Sequence, residues 1–491
     1  MITWILVLDR IFFTTGIEGL LSQMWYHKNP QVNWWLFGQL TALFMKAYFI
    51  RRFMLVPITL LGVTLIVFTL TRFMPGSPIE RAMQRAAQSD ENTKSSSDNQ
   101  NQAGLSDEDL EVLEEEYGYD KPIPVAYIQW LGLWPRERQI SKAEIRAQRE
   151  DVIGHKLIED AENEALVVLK GSGRRVLVNK KALGDAVFVD NGQKIAEAGW
   201  QVRLESPEDR AQRWARRNEQ PAANAPAKPY RAVVYKERIS GLFQGDLGRS
   251  STYQDKVSDM ILERIPIAVY FGLLSTIIIY SVCIPLGILK AIKHRTFIDN
   301  ASSVLVFVGY SIPGFALGAL LLVYLGARMG WFPLFGLTSP GAEDLSGWEQ
   351  IKDLAHHTVL PLSCYIVGGF AYTTMMMKNN LMDNLAADYV RTAVSKGVSF
   401  RLAVFKHAFR NSFIPIATSL GGLVTIFVSG SMLVETVFDI QGFGLLQFQA
   451  IMDRDNSVIM GTLTIAAFLM LIGNILSDII VAMIDPRIKF H

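Results

Sequence analysis

At 491 residues, half of them hydrophobic and with a mean hydropathy of +0.20, the chain is too apolar for an ordinary soluble enzyme and too polar to lie wholly inside a membrane. Its 48 Lys and Arg nearly balance its 47 Asp and Glu, and a net charge of +1 offers nothing to nucleic acid. The two cysteines, Cys283 and Cys364, both fall in apolar runs, which suits small buried hydrophobes rather than a disulfide or a metal pair.

Residues 1–50 mix Trp4, Trp25, Trp34 and Trp35 with scattered charges, a composition that suits the headgroup layer, so they read as an N-terminal interfacial extension. Asp9 and Arg10 interrupt the first apolar residues, and no removable signal peptide is read there. A span over 31–50 is the competing reading, but Arg51 and Arg52 are too little chain to turn a hairpin between two spans. From Phe53 to Thr71 there are 19 uncharged residues. As a helix they would cover about 28 Å of a roughly 30 Å hydrocarbon core. Residues 51–74 are therefore the first transmembrane helix.

The outer segment predicted at 75–258 opens near MPGSP at 74–78 and continues into a polar tract, 88–104, with nothing to bury and disorder expected. Ser106 with Asp109 forms a capping box, Leu105 and Leu110 a hydrophobic staple, and Gly118 ends that helix. Residues 133–241 read as a small β-rich domain. It has a charged helix capped by Ser141 and Glu144, then β-type runs at 165–170, 175–179, 186–190 and 199–204. GSG at 171 and NG at 191 supply turns, and 221–229 is an extended linker before YRAVVYK at 230–236. With His155 as its one histidine and no cysteine, this domain has no metal or nucleophile constellation and reads as a docking or spacer module.

Further uncharged runs lie at 265–289, 300–327, 354–377, 411–434 and 456–477, giving about six transmembrane helices and an all-α multi-pass membrane protein with a small β-rich extracytoplasmic insertion. Lys290, Lys293, His294 and Arg295 follow the second run, whereas Glu343, Asp344, Glu349 and Asp353 follow the third. An excess of Lys and Arg marks the cytoplasmic side, so both termini are expected in the cytoplasm and 75–258 outside.

Between the fourth and fifth spans, residues 383–415 form a polar loop carrying Lys378, Arg391, Lys396, Arg401, Lys406 and Arg410 on or beside it against Asp383 and Asp388. Ala386, Tyr389, Val390, Ala393 and Val394 recur at helical spacing, Gly397 stops the helix, and Ser399 is placed to cap a second one from Phe400. ADYVRTAVSKG at 387–397, followed by HAFRNSFIP at 407–415, resembles the EAA loop of ABC importer permeases of the dipeptide and oligopeptide type. YGYDKPIPVAYIQWLG at 117–132 and GDLGRS at 245–250 are similar to that family's first external loop, and NILSDIIVAMIDPRI at 474–488 to its C-terminal ending. Residues 133–241 are then an insertion in the family pattern.

The resemblance implies a type I ABC importer permease fold and transport of peptides across a bacterial inner membrane, 259–491 being the transmembrane domain and 383–410 the coupling loop. It also implies a second homologous permease subunit, two cytoplasmic ATPase subunits and a periplasmic or surface solute-binding protein, with membrane lipid as surroundings, no cofactor and no metal. Ala386, Ala387, Asp388, Tyr389, Arg391, Thr392, Ala393, Lys396 and Gly397 would meet the ATPase. Three positions depart from the pattern: Ser77 replaces an acidic residue, Gln441 a proline before GFGLL, and Ala386 a common Gln or Glu.

No GxxxxGK[ST] phosphate loop occurs, so the chain does not itself bind ATP by that device; the resemblance implies that ATP hydrolysis resides on partner subunits and that the chain is a transport subunit, not an enzyme. GSG before Arg174 and Arg175 reads as a hairpin, and adjacent His356 and His357 as an interfacial pair. A peptide needs a polar path, and Thr418, Ser419, Thr425, Ser429 and Ser431 in the fifth span could line it; the same small residues also let membrane helices pack closely. Asp478, inside the last apolar run, reads as a structural bond to a neighbouring helix. Two further readings stay open: the same importer class for nickel chelates or other small solutes, and a membrane-anchored sensor or enzyme acting through 133–241.

Overall fold

The computed structural model describes residues 30–74, 114, 118–137, 153–158, 163–169, 172–218, 220–253, 255–429 and 431–484, with the backbone alone for 30–49, 153, 155, 157–158, 420–429 and 484. Ser77, the 88–104 tract, the Ser106 capping box with its Leu105 and Leu110 staple, and the helix expected after Ser141 lie outside the described residues.

Helix α1, Pro30–Phe73, is 44 residues long and runs unbroken through Arg51 and Arg52. The boundary expected at residue 50 is therefore not a break in the backbone, and no hairpin separates 31–50 from the first span. Beyond Phe73 the chain reaches α2, Ile123–Leu131, which lies against the last turns of α1. Tyr127 donates its hydroxyl to the Leu61 carbonyl at 2.9 Å and meets Thr64 Oγ1 at 2.8 Å, while its ring stacks on Trp130 and meets Phe68 edge-on.

The segment read as an insertion, 133–241, leaves and returns through one neck. Strand β1, Arg136–Glu137, pairs antiparallel with β8, Glu237–Arg238. Just outside that pair, a Cβ on Gly241 would sit 2.4 Å from the Gly132 nitrogen and 2.5 Å from the Trp130 carbonyl, so the two chains touch backbone to backbone. Between lie two three-stranded sheets. One has the order β2 (Ile153–Ile158), β7 (Tyr230–Tyr235), β6 (Gln201–Glu205); the other is β3 (Glu164–Val168), β4 (Arg175–Asn179), β5 (Ala182–Phe188). Alternation puts Ala165, Val167, Val176, Val178, Ala186 and Phe188 inward, where they meet Trp200, Ala232 and Val234 in a single core. Strands β2 and β7 did not stand out in the sequence, because β7 is buried along its whole middle and shows no alternation.

Helix α3, Pro207–Asn218, was also missed. It is so rich in arginine that it reads as a solvated stretch, yet Arg210 and Arg213 are buried. Arg213, Arg231 and Arg203 converge on the Glu205 carboxylate at 2.6, 2.9 and 2.9 Å, and Arg203 also reaches Glu137 in β1 at 2.6 Å. Burial alone would push the Glu205 carboxyl up, but the three guanidiniums hold it below the usual range. Nearby Asp120, in the loop before α2, has one buried carboxylate oxygen with no partner among the described residues. Its pKa is raised by burial, against the pull of Lys121, Arg203 and Arg213.

The remaining chain is helical. Helix α4 is Val257–Ile292, α5 Phe297–Ser311, α6 Gly314–Leu321, α7 Gly347–Ala386, α8 Asp388–Ser395, α9 Phe409–Ser429, α10 Met432–Phe438, α11 Phe443–Met452 and α12 Asn456–Ile484. Among the described residues four stretches are long and apolar enough to cross a membrane: Ile50–Phe73 of α1, α4, α7 and Asn456–Met483 of α12. The uncharged run at 300–327 is not one straight span, because α5 and α6 meet at 90°. Ile312 adopts an extended backbone ahead of Pro313, as residues before proline do, and Pro313 opens α6. Helix α7 packs on α4, and α9 on α12, while α12 also packs on α1.

Two outcomes test this arrangement. Gly241→Ala should destabilise the chain by about 1–3 kcal/mol, since backbone on the other side cannot yield; an unchanged thermal midpoint of the purified protein contradicts the contact. A raised carboxyl pKa contributes stability that is complete in acid and lost as pH rises through the raised value. Asp120→Asn should therefore melt higher than the parent near neutral pH, and the gain should vanish as the pH falls below the ordinary carboxylate range.

Candidate coupling loop and membrane path

Helix α7 ends at Ala386 because Ala387 turns extended, with ψ of 146°, and α8 starts on Asp388, whose charge suits a helix N-terminus. Val390 is buried against Met377, Leu381, Ala403, Val404, Ala408 and Ile416. It is the inward residue of the expected periodic set: Tyr389 and Val394 are each more than 40% exposed. Gly397 closes α8 with φ of +88°, its N–H donating to Val394 and that of Val398 to Ala393. Helix resumes at Phe400, but the Ser399 side chain makes no cap hydrogen bond there. Ala403–Ala408 form a wider π-turn leading into α9.

Ala386, Asp388, Tyr389, Arg391, Thr392, Lys396 and Gly397 all lie on the exposed side, while Ala387 and Ala393 are half-buried. The same surface carries three residues that the sequence reading passed over: Phe400, Leu402 and Phe405, all at least half exposed. The signal available was their register, since Ala403 and Val404 pack inward together and leave Leu402 and Phe405, on either side of them, exposed. Tyr389 also ties the loop to both adjoining helices. Its hydroxyl donates to Asn384 Oδ1 at 2.6 Å, near the end of α7, and accepts from Asn411 Nδ2 at 3.1 Å, at the start of α9.

Behind the loop, Asp299 at the start of α5 accepts from Lys378 of α7 at 2.7 and 2.9 Å and lies 3.1 Å from Lys290 of α4. Lys290 also donates to the Asp299 carbonyl, Ser302 and Ser303. These two lysines, counted in the sequence as membrane-face charges, are buried and internally paired; Lys293, His294, Arg295 and the loop cations carry the exposed charge.

Of the polar positions in the fifth span, Thr418 is exposed and bonds back to the Ile414 carbonyl, and its own carbonyl accepts from Ser477 of α12. Ser419 bonds to the Ile416 carbonyl and meets Tyr280 of α4 at 3.1 Å. The Ser431 amide donates to the Tyr365 hydroxyl and to Glu435. The side chains of Thr425 and Ser429 lie outside the described residues. His356 and His357 each set a ring nitrogen on a backbone carbonyl, of Trp331 and Asp353.

Glu435, also missed, is 1% exposed and links three elements. It accepts from Tyr365 of α7 at 2.9 Å, from the Ser431 amide and, at 2.8 Å, from the Leu445 amide in the first turn of α11. A Cβ on Gly442 would come within 2.5 Å of this carboxylate. Gln441 holds the preceding turn differently from a proline: its carbonyl and side chain both accept from Arg264 of α4, at 3.1 and 2.8 Å.

A family model described as a binding-protein-dependent transport system inner membrane component matches residues 283–490. The inner membrane ABC transporter permease protein YejB of Escherichia coli O157:H7 is 39% identical over 249 residues, half of this chain and 68% of that protein. The peptidoglycan transport system permease protein YejB of Agrobacterium fabrum (strain C58) is 38% identical over the same shares. The oligopeptide transport system permease protein AppB of Bacillus subtilis (strain 168) is 35% identical across 52% of this chain and 80% of its own length. With relatives matched over two thirds and more of their length, and with an exposed loop between long apolar helices as described above, the chain belongs to the inner-membrane permease family of binding-protein-dependent ABC transporters.

Proposed function

We propose that this chain forms half of the transmembrane path of an importer that moves peptides, or the peptide-bearing fragments of cell-wall polymers, across the bacterial inner membrane. The other half is a homologous permease, two cytoplasmic ATPase subunits drive the cycle, and an external binding protein delivers the solute. Both termini lie in the cytoplasm and the insertion outside, in keeping with the exposed cations beside α8 and α9. Relatives named for peptidoglycan and oligopeptide transport favour peptide cargo over a metal chelate.

The observation that carries this reading is the exposure, within residues 386–406, of the cations Arg391, Lys396, Arg401 and Lys406 together with Tyr389, Phe400, Leu402 and Phe405. Such a face suits a protein groove with apolar walls and an acidic rim. It is also stiffly mounted. Val390 is packed into the base of α7 and α9, and Tyr389 is hydrogen-bonded to both, so a push on α8 moves two membrane helices together. ATP-driven closure of the ATPase pair would push this lever and open the path outward, and hydrolysis would reset it.

Gly397→Asp puts a side chain at positive φ, a strain of roughly 1–2 kcal/mol, and an acid among the loop cations. Uptake into vesicles should fall by about an order of magnitude or more, with insertion and the ATPase activity of the complex retained; normal uptake counts against the lever. Tyr389→Phe keeps the exposed ring and removes both hydrogen bonds. It should lower the solute moved per ATP hydrolysed while the ATPase still co-purifies, and an unchanged ratio would show that the hydroxyl carries no motion.

A further inference from the structure

Helix α2 lies well below the end of the span beside it. Its Tyr127 reaches the Leu61 carbonyl, and Leu61 stands 12 residues before Phe73, about 18 Å along the axis and near the middle of the membrane-crossing stretch Ile50–Phe73. The Tyr127 and Trp130 rings both rest on Phe68, five residues inside that end. Asn456, which opens α12, donates to the Thr71 carbonyl at 3.4 Å, so the ends of α1 and α12 are level. Met460, one turn further in, packs with Leu131 and Leu242, which brings the turn Leu242–Gln244 of the returning limb to the same depth. Large apolar side chains stay exposed here: Val125 and Ile128 on α2, and Leu133, Trp134, Ile239 and Phe243 on the two limbs, these last four each more than half exposed. Neither limb carries a charge between Lys121 and Arg136 or between Arg238 and Asp246. The irregular backbone of the neck is also satisfied from within. The buried Gln129 side chain donates to the Pro135 carbonyl at 2.8 Å, and the Gln244 side chain to the Gly132 carbonyl at 3.1 Å. A neck standing in water could leave such carbonyls to solvent, whereas in hydrocarbon they must find partners in the protein.

We propose that α2 and the adjoining limbs, 123–134 and 239–244, are set into the membrane leaflet on the insertion's side. Lipid acyl chains cover their exposed apolar surface, and the 133–241 domain is seated on the bilayer instead of standing clear of it. The order of residues along the neck follows the layers of a leaflet. Val125 and Ile128 belong to the helix held against the span. Trp134 and Ile239 come next, and tryptophan favours the interface between hydrocarbon and headgroups. Beyond them Arg136 pairs with Arg238 across β1 and β8, where lipid phosphates would lie, and Glu137 with Glu237 follows on the domain side. Arg238 is exposed, while Arg136 also holds Asp246 at 3.0 Å. Leu65, Leu70 and Phe73 of α1 are exposed over the same depth, so the covered surface adjoins a helix already within the membrane. A soluble partner would account neither for that gradation nor for carbonyls satisfied inside the neck. Such a seat depends on the membrane spans alone and not on the coupling reading.

The test places a nitroxide on single introduced cysteines, Ile128→Cys, Trp134→Cys and Phe243→Cys, in the full chain in its assembled complex in phosphatidylcholine nanodiscs. It compares collisions with oxygen, which concentrates in hydrocarbon, with collisions with a water-soluble nickel chelate. Cys283 and Cys364 are buried, which directs the label to the introduced site. Leu65→Cys on α1 supplies the lipid-facing reference and Val168→Cys, exposed on β3, the aqueous one. All five positions are exposed, so each variant should keep the parent's thermal midpoint. The ratio of oxygen to chelate collisions at 128 and 243 should lie several-fold above that at 168 and near that at 65, with 134 between the two references. Ratios at 128 and 243 equal to that at 168 put the surface in water and overturn the proposal. Labels at 128 and 243 shielded from both agents give the surface to a protein partner and overturn it as well.

Discussion

A carboxylate drawn in among apolar helices must bring its partners with it, and the seams of this bundle are closed by acids that do so. Asp299 gathers Lys290 and Lys378 and thereby joins α4, α5 and α7. Glu435 joins α7 and α10 to the first turn of α11 through a phenol and two amides. Asp478 joins α12 to α1 through Arg52. Asp455, ahead of α12, accepts from Ser250 and so seats the GDLGRS segment on that helix. Lipid tails are as apolar as leucine, so burial alone gives membrane helices little reason to choose one neighbour over another. A buried acid has few satisfactory geometries, and removing one of its partners strands a charge.

The loop between α7 and α9 follows from the same logic with weaker bonds. Its inner side is hydrophobic, and its outer side exposes cations together with aromatic and leucine side chains. Under the proposed function, this is the surface that would meet the ATPase subunit. The stiffness comes from Tyr389, which spends its hydroxyl on Asn384 and Asn411 while presenting its ring outward.

The insertion is joined to this frame through narrow but rigid means. Its two connecting segments are held by the β1–β8 pair and the Gly132–Gly241 contact, and Arg217 of α3 lies 3.3 Å from Glu114, in the segment between α1 and α2. Both members of that pair are buried. A domain held this way moves with α2, and α2 is packed on the end of α1.

Much of this was legible in the residues. Apolar runs free of charge located the cores of the long helices, but the helices run on past them, α1 from Pro30 and α7 from Gly347 to Ala386, because backbone hydrogen bonding continues beyond the uncharged stretch. Gly397 announced the loop's turn, and alternating residues announced β3 and β4. The 300–327 run misled because hydropathy measures length and not direction, and Pro313 inside it was as compatible with a kink as with a right angle. Lys290 and Lys378 looked like surface cations because their partner, Asp299, is distant in sequence from one of them and unremarkable beside the other. The amino-acid order alone determined the class of protein and where its long apolar helices lie, both of which depend on local composition. Only tertiary structure decided which charges are buried in pairs, which face of the loop is presented, and how the insertion is held, because each depends on groups that meet across separate helices and strands.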